Sequence, residues 1–99
     1  MTRCYYDRSK RLLRIEGHAM FAPVGADIVC AGISALECAL YQYLTDVMMD
    51  GVSVVKADLE PSSSRFVGCE KTDEAFDCIW AGLELIAQNY PGYVQCWRG

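Results

Sequence analysis

The chain's sole histidine, His18, and one of its six cysteines, Cys30, lie twelve positions apart in the stretch GHAMFAPVGADIVCAG, Gly17 to Gly32. A cysteine attacks a carbonyl as the thiolate, and a thiol in water is mostly protonated at neutral pH. Two surroundings favour the anion: the first turn of a helix, and an imidazole close enough to take the proton. The sequence offers both. Asp27 is a good N-cap, which makes Cys30 the third helical residue, inside the turn whose N–H groups lack intrahelical acceptors. Those amides could also face the oxyanion of a tetrahedral intermediate, where losing one donor typically costs roughly 100- to 1000-fold in rate. His18, on a loop that can fold back, could accept the thiol proton and return it to a leaving amine.

Plainer readings of the same residues stay open on pattern alone. A lone histidine and one of several cysteines can be unrelated neighbours in a small core. Capping accounts for Asp27 without a catalytic part. Ser34, one turn after Cys30 on the same helical face, can support a site or return a hydrogen bond to its own helix. Gly25 provides a backbone conformation that other residues resist. A metal site built from His18, Cys30 and Asp27 lacks a recognisable ligand spacing, and the chain has no CxxC pair. No cofactor is called for.

The elements that must position these residues belong to one domain, residues 1–99, because a chain of 99 residues supports a single modest core. Its 53% hydrophobic and 22% charged residues are ordinary for a globular protein. A net charge of −4 and a pI near 4.8 argue against a nucleic-acid partner, which would demand surplus Lys and Arg. The opening MTRCYYDRSK has no apolar centre for a secretory signal, and no uninterrupted apolar run has membrane-spanning length. The expectation is a cytoplasmic protein with reduced thiols and no membrane partner. Cys4, Cys38, Cys69, Cys78 and Cys96 then read as small buried hydrophobes and not as a disulfide framework.

Arg3 to Asp7 and Arg11 to Gly17 read as a β-hairpin around Arg8-Ser9-Lys10, with Leu13 and Ile15 on one face and Leu12 and Arg14 on the other. His18 to Gly25 fits no period and reads as a loop. From Asp27 to about Met49 the pattern is helical. Ile28, Ala31, Ala35, Ala39, Tyr43 and Val47 recur at three- and four-residue steps, flanked by Leu36, Leu40 and Leu44, with Gly32, Ala35 and Ala39 keeping that face thin for close packing. Val52 to Leu59 and Ser64 to Glu70 form a second hairpin. A second helix follows with Thr72 as N-cap and a buried stripe of Phe76, Ile79, Trp80, Leu83, Ile86 and Ala87, and Tyr93 to Trp97 is a last strand. The order β-β-α-β-β-α-β points to an α+β fold, a mostly antiparallel sheet with two helices packed on it.

Gly17-His18-Ala19, a short loop, and Gly25-Ala26-Asp27-Ile28-Val29-Cys30-Ala31-Gly32-Ile33-Ser34 resemble the signature of the ribosomal-processing cysteine protease family, Prp. Two separate blocks agree with it in content and in separation. The resemblance implies an α+β homodimer that removes a short N-terminal extension from a large-subunit ribosomal protein, cutting after an aromatic residue. It implies Cys30 as nucleophile and His18 as general base, with Gly17, Ala19, Gly25, Asp27, Ala31 and Ser34 supporting the site or the substrate. The loop Met20 to Val24 departs from the family, being apolar and proline-bearing where family loops are often polar and glycine-rich. A phage prohead protein is an alternative substrate, and an inactive dimeric peptide-binding module with the same groove is an alternative function.

Overall fold

The computed structural model describes residues 1–20, 22–23 and 27–99. Strands β1 (Thr2–Asp7) and β2 (Leu12–Glu16) form the expected hairpin, and helix α1 (Ile28–Met49) follows. A second hairpin, β3 (Lys56–Glu60) and β4 (Ser63–Val67), leads through a short 3-10 turn, Glu70–Thr72, into helix α2 (Asp73–Asn89) and strand β5 (Val94–Arg98). The sheet order is β3-β4-β2-β1-β5. Every pairing is antiparallel except β1 with β5, which are parallel because α2 carries the chain back across the sheet between β4 and β5. The α+β expectation holds, with a mixed sheet.

Strand alternation separates two faces. Cys4, Tyr6, Leu13, Ile15, Phe66 and Val94 point into the core beneath the helices. On the opposite face Tyr5 stacks on Trp97 with ring centroids 5.1 Å apart, and the Arg14 guanidinium lies 4.8 Å above the Tyr5 ring. Phe76, Trp80 and Leu83 bury the inner stripe of α2 as the spacing predicts, with Ile79, Ile86 and Ala87 packed beside them. Tyr6 fixes this helix further, its hydroxyl donating to Asp77 Oδ1 at 2.7 Å while Arg8 Nε lies 3.1 Å from the same oxygen.

Four local expectations need correction. In α1 the buried residues are Val29, Ile33, Leu40, Leu44 and Val47, whereas Ile28, Ala31, Ala35 and Ala39 face outward. The larger side chains have more apolar area to remove from water, so they decide which stripe turns inward. Gly32 packs closely against Ile86 of α2, and from α2 Gly82 does the same beneath Leu36. By length and hydropathy alone α1 could cross a membrane, but here it is a layer on the sheet. The second hairpin is shorter than Val52–Leu59 and Ser64–Glu70, since residues 52–55 leave the ladder and 70–72 coil into the 3-10 turn. Thr72 stands at the N-cap position of α2 but spends its hydroxyl on Cys69, accepting from its N–H and donating to its carbonyl, both at 2.9 Å. Finally, Cys4 is buried and Cys69 and Cys96 are half-buried, but Cys38 and Cys78 are exposed and are not core residues.

Candidate active site

The site is assembled where β2 ends and α1 begins. Gly17 closes β2 with φ +82°, a left-handed conformation open to glycine, and a Cβ there would strike the Met1 carbonyl oxygen. Its N–H donates to the Ser62 carbonyl at 2.9 Å, tying the strand end to the tip of the second hairpin. His18 follows directly and is exposed, while Ala19 is buried and pins the loop to the core.

Asp27 caps α1 as its residue type predicts. Its Oδ1 accepts the Cys30 N–H at 2.9 Å, and its Oδ2 accepts the Ala22 N–H at 3.4 Å, so one carboxylate fastens both the helix start and the loop. The amide of Cys30 is therefore not a free oxyanion donor, contrary to the simplest reading of the helix start. The Ile28 and Val29 amides, by their place in the first turn, have no intrahelical acceptor. The half-buried Cys30 faces a cavity of about 890 Å³. Asp27, Cys30, Ala31 and Ser34 line it from the helix; His18, Met20, Ala22 and Pro23 line it from the loop.

Six of the eight residues singled out from sequence are thus accounted for around one concavity: His18, Asp27, Cys30, Ala31 and Ser34 on its wall, and Gly17 at the turn that delivers His18. Ala19 lies behind the wall, in the core. Gly25 falls outside the described residues, as do Phe21 and Val24 of the apolar loop. A cavity of this size suits a short peptide segment or a small ligand.

Glu37 is a neighbour that sequence reasoning missed. It stands seven residues after Cys30, two turns along α1, half-buried, and its Oε2 accepts the Ser64 hydroxyl at 2.9 Å. Burial pushes its carboxyl above the ordinary glutamate range, with the Ser64 hydrogen bond and the nearby His18 pulling the other way. The signal was available as a charged residue in an otherwise apolar helical stretch, two turns from the cysteine.

A thiol in the first turn of a helix and an imidazole across one cleft, on a sheet covered by two helices, define a cysteine peptidase of α+β type. The chain belongs to the cysteine protease Prp family, whose model matches residues 1–95. It is 28% identical over 94 residues to the ribosomal processing cysteine protease Prp of Mycoplasma genitalium, covering 87% of this chain and 86% of that one. The fold matches crystal structures of the ribosomal processing protease Prp from S. aureus. With a covalently linked product peptide the TM-score is 0.78 at 17% identity, and with a substrate peptide it is 0.76 at 14% identity, each covering 100% of both chains. A Streptococcus mutans protein matches with TM-score 0.69 at 23% identity, over 98% of this chain and 90% of that one.

Proposed function

We propose that this peptidase removes a short N-terminal extension from a large-subunit ribosomal protein, with Cys30 as nucleophile and His18 as general base. The observation that carries the reading is the meeting of the sole histidine and the helix-start cysteine on one 890 Å³ cleft. His18 takes the proton from Cys30 Sγ, and the sulfur attacks the scissile carbonyl carbon. The resulting oxyanion lies at the positive end of α1, where the first turn of the helix favours negative charge. His18 then protonates the leaving amine, whose C–N bond breaks to leave a thioester. Water activated by the same imidazole hydrolyses it and restores the thiol. Ala31 and Ser34, one face of the helix on, support the peptide beside the sulfur, as does the loop at Met20, Ala22 and Pro23.

The Mycoplasma genitalium relative is a ribosomal processing cysteine protease and the S. aureus Prp structures hold peptides, which supports this substrate class. The work is cytoplasmic in this reading, where ribosomal proteins are made. The protein acts as a homodimer in this reading, and sedimentation equilibrium at a single-chain mass would refute the pairing.

The test is mass spectrometry of a synthetic ribosomal N-terminal extension after incubation with the protein. Wild type is expected to cut it once, and Cys30→Ala and His18→Ala to return it whole while keeping the native circular dichroism. Cleavage by Cys30→Ala ends the assignment. An uncut peptide that nonetheless binds wild type makes the chain a peptide-binding module, and preferential cutting of a phage prohead peptide moves the substrate.

A further inference from the structure

Two cysteines remote from the cleft meet across the sheet. Cys4 on β1 and Cys96 on β5 are direct partners in the parallel register. Neighbouring strands lie about 4.8 Å apart, within the roughly 4.4–6.8 Å between Cα atoms that a disulfide spans. Both side chains turn toward the helices: Cys4 has no exposed surface, and Cys96 is half-buried against the same core. Cys96 also lines a surface cavity of about 440 Å³ with Glu84, Gln88 and Trp97, so a small solute can reach one thiol of the pair but not the other.

The register sets the two thiols side by side on neighbouring strands, and the pairing together with burial pushes the Cys4 thiol up. The thiol that borders the surface cavity is the one open to an oxidant, and its buried neighbour is placed to resolve the product.

We propose that Cys4 and Cys96 are a peroxide-sensitive disulfide site that joins the two ends of the chain. The Cys96 thiolate attacks one oxygen of a hydroperoxide; the O–O bond breaks, the sulfur becomes a sulfenic acid, and the departing hydroxide takes up a proton as water. The Cys4 sulfur then loses its proton and attacks the sulfenic sulfur. The S–O bond breaks, a second water leaves, and the S–S bond forms. Two thiols have given up two electrons and two protons, and hydrogen peroxide has been reduced to two waters. The bond closes a loop that contains nearly the entire chain, so it constrains the unfolded state strongly. Neither residue lines the peptidase cleft, and the site stands whether or not the proposed ribosomal substrate is correct.

The experiment treats the full chain with a small excess of hydrogen peroxide, alkylates the remaining thiols and maps peptides without reduction. Trypsin with a glutamate-specific protease places Cys78 and Cys96 in separate peptides. The expected product is a Cys4–Cys96 linked peptide pair, lighter by two hydrogens than its parts and separated by dithiothreitol. The thermal midpoint of the oxidised protein rises and returns on reduction. Cys96→Ala loses both effects, and its native circular dichroism shows that the loss is not misfolding. An unmodified Cys96 under conditions that oxidise the exposed Cys38 and Cys78 overturns the proposal. So does Cys96 oxidised to a sulfinic acid with Cys4 still free, or linked to any other cysteine.

Discussion

Replacing Asp27 tests the device on which the whole site hangs. Its Oδ1 holds the Cys30 amide at 2.9 Å and its Oδ2 reaches the Ala22 amide at 3.4 Å, so Asp27→Ala releases both the first turn of α1 and the loop before it. Loss of an N-cap side chain costs about 0.5–2 kcal/mol, and loss of a negative charge at a helix N-terminus about 0.3–1 kcal/mol. A central value near ~1.5 kcal/mol corresponds to a fall in Tm of roughly 6–12 °C for a domain of this size. Asp27→Asn keeps the acceptor and surrenders only the charge, so it loses about 0.3–1 kcal/mol. Urea and thermal denaturation of the three proteins give these differences directly. The kinetics separate capping from catalysis: Asp27→Asn is expected to keep kcat/KM within about tenfold, whereas a carboxylate that orients a catalytic imidazole costs roughly 10⁴-fold when it becomes an amide. Stability of Asp27→Ala within about 0.3 kcal/mol of wild type would refute the capping argument. A 10⁴-fold loss in Asp27→Asn would make Asp27 a third member of the catalytic set.

Gly17→Ala places a Cβ against the Met1 carbonyl oxygen at a backbone φ of +82° and is expected to lose more than about 1 kcal/mol in urea denaturation. Because His18 is the next residue, peptide cleavage should fall as well, and a variant unchanged in both respects contradicts the role given to this turn. Glu37→Gln tests the half-buried carboxyl that accepts the Ser64 hydroxyl. Burial raises the Glu37 pKa, so the folded protein holds that proton more tightly than the unfolded chain does. The ionised form therefore costs stability that is absent below the unfolded pKa and fully present above the folded one. The stability of Glu37→Gln relative to wild type should rise as pH climbs through that window, and parallel pH profiles of Tm for the two proteins would contradict the assignment.

Much of this architecture was legible because the information is local. Alternation at Leu12, Leu13, Arg14 and Ile15 is complete within one strand and assigns its faces without knowledge of the partner strand. The stripe Phe76, Trp80 and Leu83 does the same for α2. The candidate site was equally readable, since Gly17, His18, Asp27 and Cys30 lie within fourteen residues and the cap that seats Cys30 reaches only three positions.

Helix α1 shows where local reasoning stops. Its sequence carries two apolar stripes, a small one through Ala31, Ala35 and Ala39 and a larger one through Val29, Ile33, Leu40 and Leu44, and periodicity alone does not choose between them. The sheet and α2 choose, because the stripe that meets them removes more area from water. The occupied Cys30 amide, the Glu37–Ser64 bond and the Cys4–Cys96 contact belong to the same class of fact. A residue's type and its near neighbours fix what chemistry it can offer and which way its own element turns. Whether that chemistry finds a partner is settled only when strands and helices distant in the chain are brought to one place.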